Sequence, residues 1–191
     1  MDTLNSLLPI KERLDKLKKR IQESDFLEGK GLSNEVNIHI CCYKPEEEMI
    51  VRHFTEQLIG DQSLKCQITE YNLYHTFLEI CDEKRITSSI SSIEIKKGKE
   101  YLLKQLQQLA NNTTFVNKMR HEKQTDNEVI FITGVGEVFP FLRIHSLLDA
   151  MQPCFENTPI VVFYPGKFDG RTVQLFEKLK PNSYYRAFNV I

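Results

Sequence analysis

Two glycine-bearing stretches hold the residues best suited to meeting a ligand: Thr133-Gly134-Val135-Gly136-Glu137 and Tyr164-Pro165-Gly166-Lys167-Phe168-Asp169-Gly170-Arg171. Glycine lets backbone amides approach an anion closely, and Lys167 would add charge. The chemistry suggested is phosphate recognition. Gly134 and Gly136 nevertheless lack the full G-x-G-x-x-G pattern, and no lysine follows them. A tight strand-to-helix turn accounts for both glycines. In the second stretch Pro165-Gly166 is turn chemistry, and Asp169 is placed to cap a helix beginning near Gly170. Asp169, Arg171 and Arg186 would then form an ion network, an arrangement more often structural than catalytic.

A third stretch, "YKPEEE" from Tyr43 to Glu48, follows the first strong apolar run, where a nucleotide-binding chain would place its phosphate loop. Pro45 lacks an N–H, and Glu46, Glu47 and Glu48 fill the first helical turn. These carboxylates suit the helix dipole but repel phosphate, by about 3 kcal/mol per charge pair at about 6 Å and an effective dielectric of about 20. His39 and Cys41 alternate on one strand face and could both touch one zinc, but two ligands do not make a site. No cysteine occupies an open helix terminus where its thiol would be activated. Arg143 and His145, two apart on an expected helix, point to different sides. No nucleophile, base and oxyanion donor converge, so neither catalytic residue, metal nor cofactor is assigned.

The elements that must position these residues alternate between strand and helix. Strands are expected at 36–43, 65–71, 128–134, 158–166 and 184–191, each rich in β-branched or aromatic residues. "EVIFITG" and "TPIVVFYPG" are continuous apolar runs, as in strands buried on both faces. Helices are expected at 45–59, with Ile50, Phe54 and Leu58 along one stripe; after residue 72, through Leu73, Phe77 and Ile80; and after a serine-rich turn, as one long helix through Leu102, Leu106 and Leu109. The stretch 111–127 is polar and helical at most in part, and further helices are expected at 138–151 and 169–180. This alternation predicts right-handed crossovers and a mostly parallel, helix-covered sheet. If the strands ending at Gly134 and Tyr164 are neighbours, their loops form an exposed rim carrying Tyr43, Glu137, Tyr164, Lys167 and Phe168.

Ahead of this body, Leu7, Ile10, Leu14, Leu17 and Ile21 form one apolar helical seam, too short for a coiled coil. Its ordinary reading is a helix packed on its own domain. Basic residues including Lys11, Arg13, Lys18 and Arg20 line the other faces and suit solvent, or an acidic partner. The organisation predicted is one three-layer α/β domain over 1–191: an N-terminal helix at 1–24, a glycine-containing loop at 25–35, and an α/β body at 36–191. The body has about five strands with helices on both faces, a P-loop-type arrangement without a working P-loop.

The 191 residues carry net charge −1, with 41% hydrophobic and 27% charged residues, a globular composition whose overall field gives no pull on nucleic acid. No apolar run is long enough to cross a bilayer, and the first residues lack a signal-peptide core. Five cysteines without a Cys-x-x-Cys pair suit a reducing compartment, so a cytoplasmic location is expected.

"SDFLEGKGLSNE", "KPEEE", "TGVGEVFPFLRIHSLLDAMQP", "TPIVVFYPGKFDG" and "NSYYRAF" resemble, in order and across nearly the whole chain, the BrxB proteins of BREX bacteriophage-defence systems. The family commonly carries tyrosine where Phe168 stands, so a polar role there is lost while stacking or packing survives. The resemblance implies an accessory subunit in a system that includes a methyltransferase, an ATPase and PglZ, the first expected partner. It implies no catalytic residues. The expected contact surfaces are Gly134–Glu137, the Tyr164–Gly170 loop (Tyr164, Gly166, Lys167, Phe168, Asp169), Arg171, Arg186 and the N-terminal helix. Two rival expectations are a degenerate phosphate or nucleotide site using Gly134, Gly136 and Lys167, and nucleic-acid binding through the basic helix.

Overall fold

In the computed structural model, which describes residues 8–29, 37–120, 126–155, 158–183 and 187–190, the apolar runs form a sheet. β1 (Ile38–Tyr43), β2 (Gln67–Asn72), β3 (Glu128–Thr133), β4 (Ile160–Phe168) and β7 (Phe188–Asn189) lie in the order β2-β3-β4-β1-β7. Every pairing along this path is parallel. β4 continues past the parallel region into an antiparallel strip with β5 (Thr172–Leu175) and β6 (Asn182–Ser183). The sheet is therefore mixed, with seven strands among the described residues.

Strand alternation sorts the core into two layers. Ile38, Ile40, Ile130, Ile132, Ile160 and Val162 face one cluster, built with helices α4 (Leu73–Glu83), α6 (Lys99–Leu109), α7 (Asn112–Met119), α8 (Val135–Val138) and α9 (Ile144–Met151). Cys41, Tyr43, Val129, Phe131, Val161 and Phe163 face the other, covered by α1 (Ile10–Arg20), α2 (Ser24–Leu27) and α3 (Glu48–Ile59). Ile10, Leu14, Leu17 and Ile21 are all buried, so the N-terminal seam packs on its own domain. Leu7, like Arg186 and most of the 25–35 loop, lies outside the described residues. No helix among the described residues is long and apolar enough to cross a membrane.

Several expectations are corrected. Residues 169–180 are not a helix. Leu175 pairs with Gly166 and Val173 with Phe168, while Phe176 and Glu177 adopt φ of 56°, which no helix contains. Strand pairing along the extended β4 outweighs the helical propensity of "QLFEKLK". The helix at 138–151 is two pieces, α8 and α9, separated by Phe139–Arg143 with a cis Phe139–Pro140 peptide. The long helix is broken at Gly98 (φ 83°) into α5 (Ile90–Lys97) and α6. On α3 Leu58 is buried and Phe54 packs half-buried against the core as expected, but Ile50 is 39% exposed and Val51 and Thr55 also turn inward. Thr55 tolerates burial because its hydroxyl donates to the Arg52 carbonyl oxygen. The stretch 111–127, expected to be helical at most in part, is helical over α7, which is capped by Asn111 and buries Phe115, Val116 and Met119. Ser24–Leu27, expected as loop, is one helical turn that buries Phe26 and Leu27.

Candidate functional site

In a parallel sheet covered on both faces, the carboxyl ends of the strands are the usual ligand edge. Here β1, β2, β3 and the parallel part of β4 end around Tyr43, Asn72, Thr133 and Pro165, and β3 neighbours β4 as the rim requires. A crevice opens on the α3 side of this edge, about 280 Å³ with its mouth, lined by Tyr43, Glu48, Arg52, Glu70, Asn72 and Glu137 among others.

Its charges answer one another. The Tyr43 hydroxyl donates to Glu48 at 2.6 Å, and Arg52 reaches Glu48 at 3.4 Å and Glu137 at 3.1 Å. Partial burial works against the Arg52 charge, yet Glu137 and Glu48 hold its guanidinium above the ordinary value. Burial, then the neighbouring Glu48, raises the Tyr43 phenol, which therefore stays a donor. The Thr133 hydroxyl donates to Glu70 at 2.5 Å. Asn72 caps α4 by accepting from the backbone N–H groups of Tyr74 and His75. At the tip where phosphate would sit, Pro45–Glu47 form a 3₁₀ turn and Glu47 accepts the Lys44 N–H at 2.8 Å.

The glycines serve the protein's own packing. Gly134 is left-handed at φ 70°, and a Cβ there would lie 2.5 Å from Asn72 Oδ1. A Cβ on Gly136 would meet the Phe176 ring at 2.9 Å and Pro165 at 3.0 Å. One on Gly166 would approach the Gln174 carbonyl oxygen to 2.1 Å. The positive φ of Phe176 is uncommon for a bulky residue, and this ring fills the space that Gly136 leaves.

The expected rim divides when placed in three dimensions. Tyr43 (3% exposed) and Tyr164 (2%) are buried on opposite faces rather than displayed together. β4 runs four residues beyond Tyr164, so this ring belongs to a strand interior and not to a loop. Phe168 is half-buried against the core, a packing role. Lys167 is exposed and pairs with Glu177 at 2.8 Å. Asp169 caps no helix. It closes the β4–β5 turn instead, accepting from the N–H groups of Thr172 at 2.6 Å and Arg171 at 2.8 Å, and these bonds hold its carboxyl below the usual range. Arg171 stands exposed at the turn tip. Asp169 thus meets the backbone of Arg171 and not its guanidinium.

On α1, Lys11 is exposed, Lys18 pairs with Asp61 at 2.8 Å, and Arg20 bonds Glu23 and Asp25 and lies 5.5 Å over the Phe26 ring. Arg13, expected on the solvated face, is 8% exposed and donates from Nη2 to the Cys42 carbonyl oxygen, while its Nε is buried without a partner. Its long side chain curls beneath the helix onto the end of β1.

His39 is engaged with Asn37 at 2.7 Å and lies tilted beside the Phe26 ring, and burial lowers its pKa to about 4. Burial pushes the Cys41 thiol up to about 12 and that of Cys66 up to about 11, the opposite of an activated nucleophile. Among the described residues no three metal-ligating side chains cluster. Arg143 precedes α9 in extended conformation, so the two-apart helical spacing does not separate it from His145, and both line a second crevice on the opposite face. The sequence reading missed Arg52 and Glu70. The i,i+4 spacing of Glu48 and Arg52 signals their pairing, but nothing local announces the meeting with Glu137.

The BrxB family model, described as BREX protein BrxB, matches residues 69–190. A Bacillus cereus BREX protein BrxB is 38% identical over 189 residues, covering 95% of this chain and 97% of the relative. An Escherichia coli O9:H4 protein of the same description is 28% identical over 182 residues, covering 94% and 90%. No solved structure matches. With the family model spanning the carboxyl edge and a relative aligned almost end to end, this chain belongs to the BrxB family of BREX proteins.

Proposed function

We propose that this chain serves in BREX phage defence as a non-catalytic adaptor, docking a partner of the PglZ type along the carboxyl edge of its sheet. The observation that carries the reading is the self-satisfied tip of β1 and α3. Glu47 accepts the Lys44 N–H, and Glu48 accepts from Tyr43 and Arg52 where a nucleotide's phosphates would lie. β1 in the middle of a parallel sheet, followed by a helix, is the position a P-loop would occupy, and here carboxylates fill it. A scaffold of this type suits recognition of a protein surface better than turnover. The docking surface consists of exposed charges flanking that tip: Glu137 beside Arg52, and the hairpin tip with Lys167 and Arg171.

Coexpression with the PglZ protein of the same BREX system tests it. Copurification is expected, weakened by Glu137→Arg, Lys167→Glu and Arg171→Glu, each of which reverses an exposed charge outside the core. Unaltered copurification of the triple variant would remove this surface, and no copurification at all would remove the partner. Deleting α1 is not a usable test, because its seam is core. The nucleotide alternative through Gly134, Gly136 and Lys167 is opposed by the packing that fills the glycine positions and by the Lys167–Glu177 pair. Calorimetry with ATP, GTP and Mg²⁺ discriminates it. The nucleic-acid alternative loses Arg13 to the interior and predicts salt-sensitive gel shifts.

A further inference from the structure

On the sheet face opposite the acidic crevice, a second crevice of about 360 Å³ with its mouth lies between the β5–β6 hairpin and the start of α9. Its polar lining is Arg143, His145, Tyr164 and Asn182, and no acidic residue lines it among the described residues. We propose that this crevice binds a single phosphate-type oxyanion, received by Tyr164 and Arg143 at the amino end of α9.

Three independent features converge. α9 has eight residues and no side-chain cap at its amino end, where a cap would normally satisfy the free N–H groups. Its first residues, Ile144 and His145, line the crevice. Arg143 has no carboxylate partner among the described residues. It makes one long contact to Asn182 Oδ1 at 3.4 Å and lies 5.9 Å over the Phe139 ring. Tyr164 is 2% exposed and lines the same space, yet no hydrogen-bond acceptor meets its hydroxyl among the described residues. Burial holds this phenol above its ordinary pKa, so the group stays protonated and can only donate to an anion.

The remaining lining is apolar, including Leu142, Val173 and Leu179, which excludes water and strengthens the donor contacts. Asp149, further along α9, acts on His145. Of the glycine-bearing stretches, Val135 and Tyr164 line this site, whereas Gly134, Gly136 and Lys167 do not. The site is also independent of partner docking.

The test is calorimetric titration of the full chain with inorganic phosphate, and separately with AMP, for the native protein, Tyr164→Phe, Arg143→Gln and Lys167→Gln. Saturable phosphate binding is expected, weakened roughly tenfold in Tyr164→Phe and Arg143→Gln and unchanged in Lys167→Gln. Tighter AMP than phosphate identifies an ester as the ligand, and equal affinity identifies the free anion. Absence of saturable binding by both ligands overturns the proposal, as does affinity unchanged in both crevice variants. Tyr164→Phe keeps the ring that packs in the core, and thermal unfolding without phosphate checks that each variant is folded.

Discussion

The two crevices flank the same strand ends and differ in whether their polar groups already have partners. On the α3 side the charges close on themselves: Tyr43 donates to Glu48, Arg52 bridges Glu48 and Glu137, and Thr133 donates to Glu70. On the α9 side a tyrosine of almost equal burial has no acceptor among the described residues, and an arginine has no acid among them. Burial is equal, so the difference lies in satisfaction. Polar groups that answer one another stabilise and position a fold, whereas a donor without an acceptor in the protein can meet a ligand.

Four kinds of change break or sharpen this contrast. The largest effect is expected from Gly166→Ala, which sets a Cβ against the Gln174 carbonyl oxygen and forces open the hairpin that walls the α9-side crevice. A loss of about 3 kcal/mol in urea unfolding is expected. Gly170→Ala, at φ 87° with nothing nearby, should cost only about 1 kcal/mol.

Next is the pH dependence of His39, buried on the α3-side face. Burial first, then Arg20, depresses its folded pKa from 6.5 to about 4. Between these values the unfolded chain binds a proton that the folded one does not, so stability falls as pH drops from about 6.5 towards 4. The loss approaches about 3 kcal/mol, and a His39→Gln variant should flatten that part of a stability-against-pH profile.

The two tyrosines make the sharpest comparison. Tyr43→Phe removes a bond to a carboxylate and should cost about 1 kcal/mol, whereas Tyr164→Phe breaks no bond and should stay within about 0.5 kcal/mol. Equal costs would erase the contrast between the crevices. Smallest is Glu137→Gln, which weakens a pair whose side chains are 41% and 37% exposed, by about 0.5 kcal/mol or less, fading as salt is added. Thermal denaturation of all three variants at low and high salt reads these differences.

Much of the architecture was legible because its signals are local. Continuous apolar runs in "EVIFITG" and "TPIVVFYPG" assigned strands with two buried faces, and the spacing of Ile10, Leu14, Leu17 and Ile21 assigned a packed helix. The acids at the tip of α3 were readable for the same reason. The candidate site was less legible. Tyr164 looked like a loop residue because Pro165-Gly166 reads as a turn, but β4 continues through both and Gly166 meets Leu175 across the hairpin. Arg143 and His145 looked divergent only while residue 143 was counted as helical.

From the sequence alone came what neighbouring residues settle among themselves: strand and helix periodicity, the two-faced sheet, the acidic helix tip and the family. Tertiary structure alone decided what distant segments do on meeting. It turned 172–183 into a hairpin, drew Arg13 beneath its own helix, joined Arg52 to Glu137 and brought Tyr164 and Arg143 to one crevice. The physical reason is range. Periodicity is set within a turn or two of chain, whereas pairing and burial depend on partners dozens of residues away, whose contact energies override local preference.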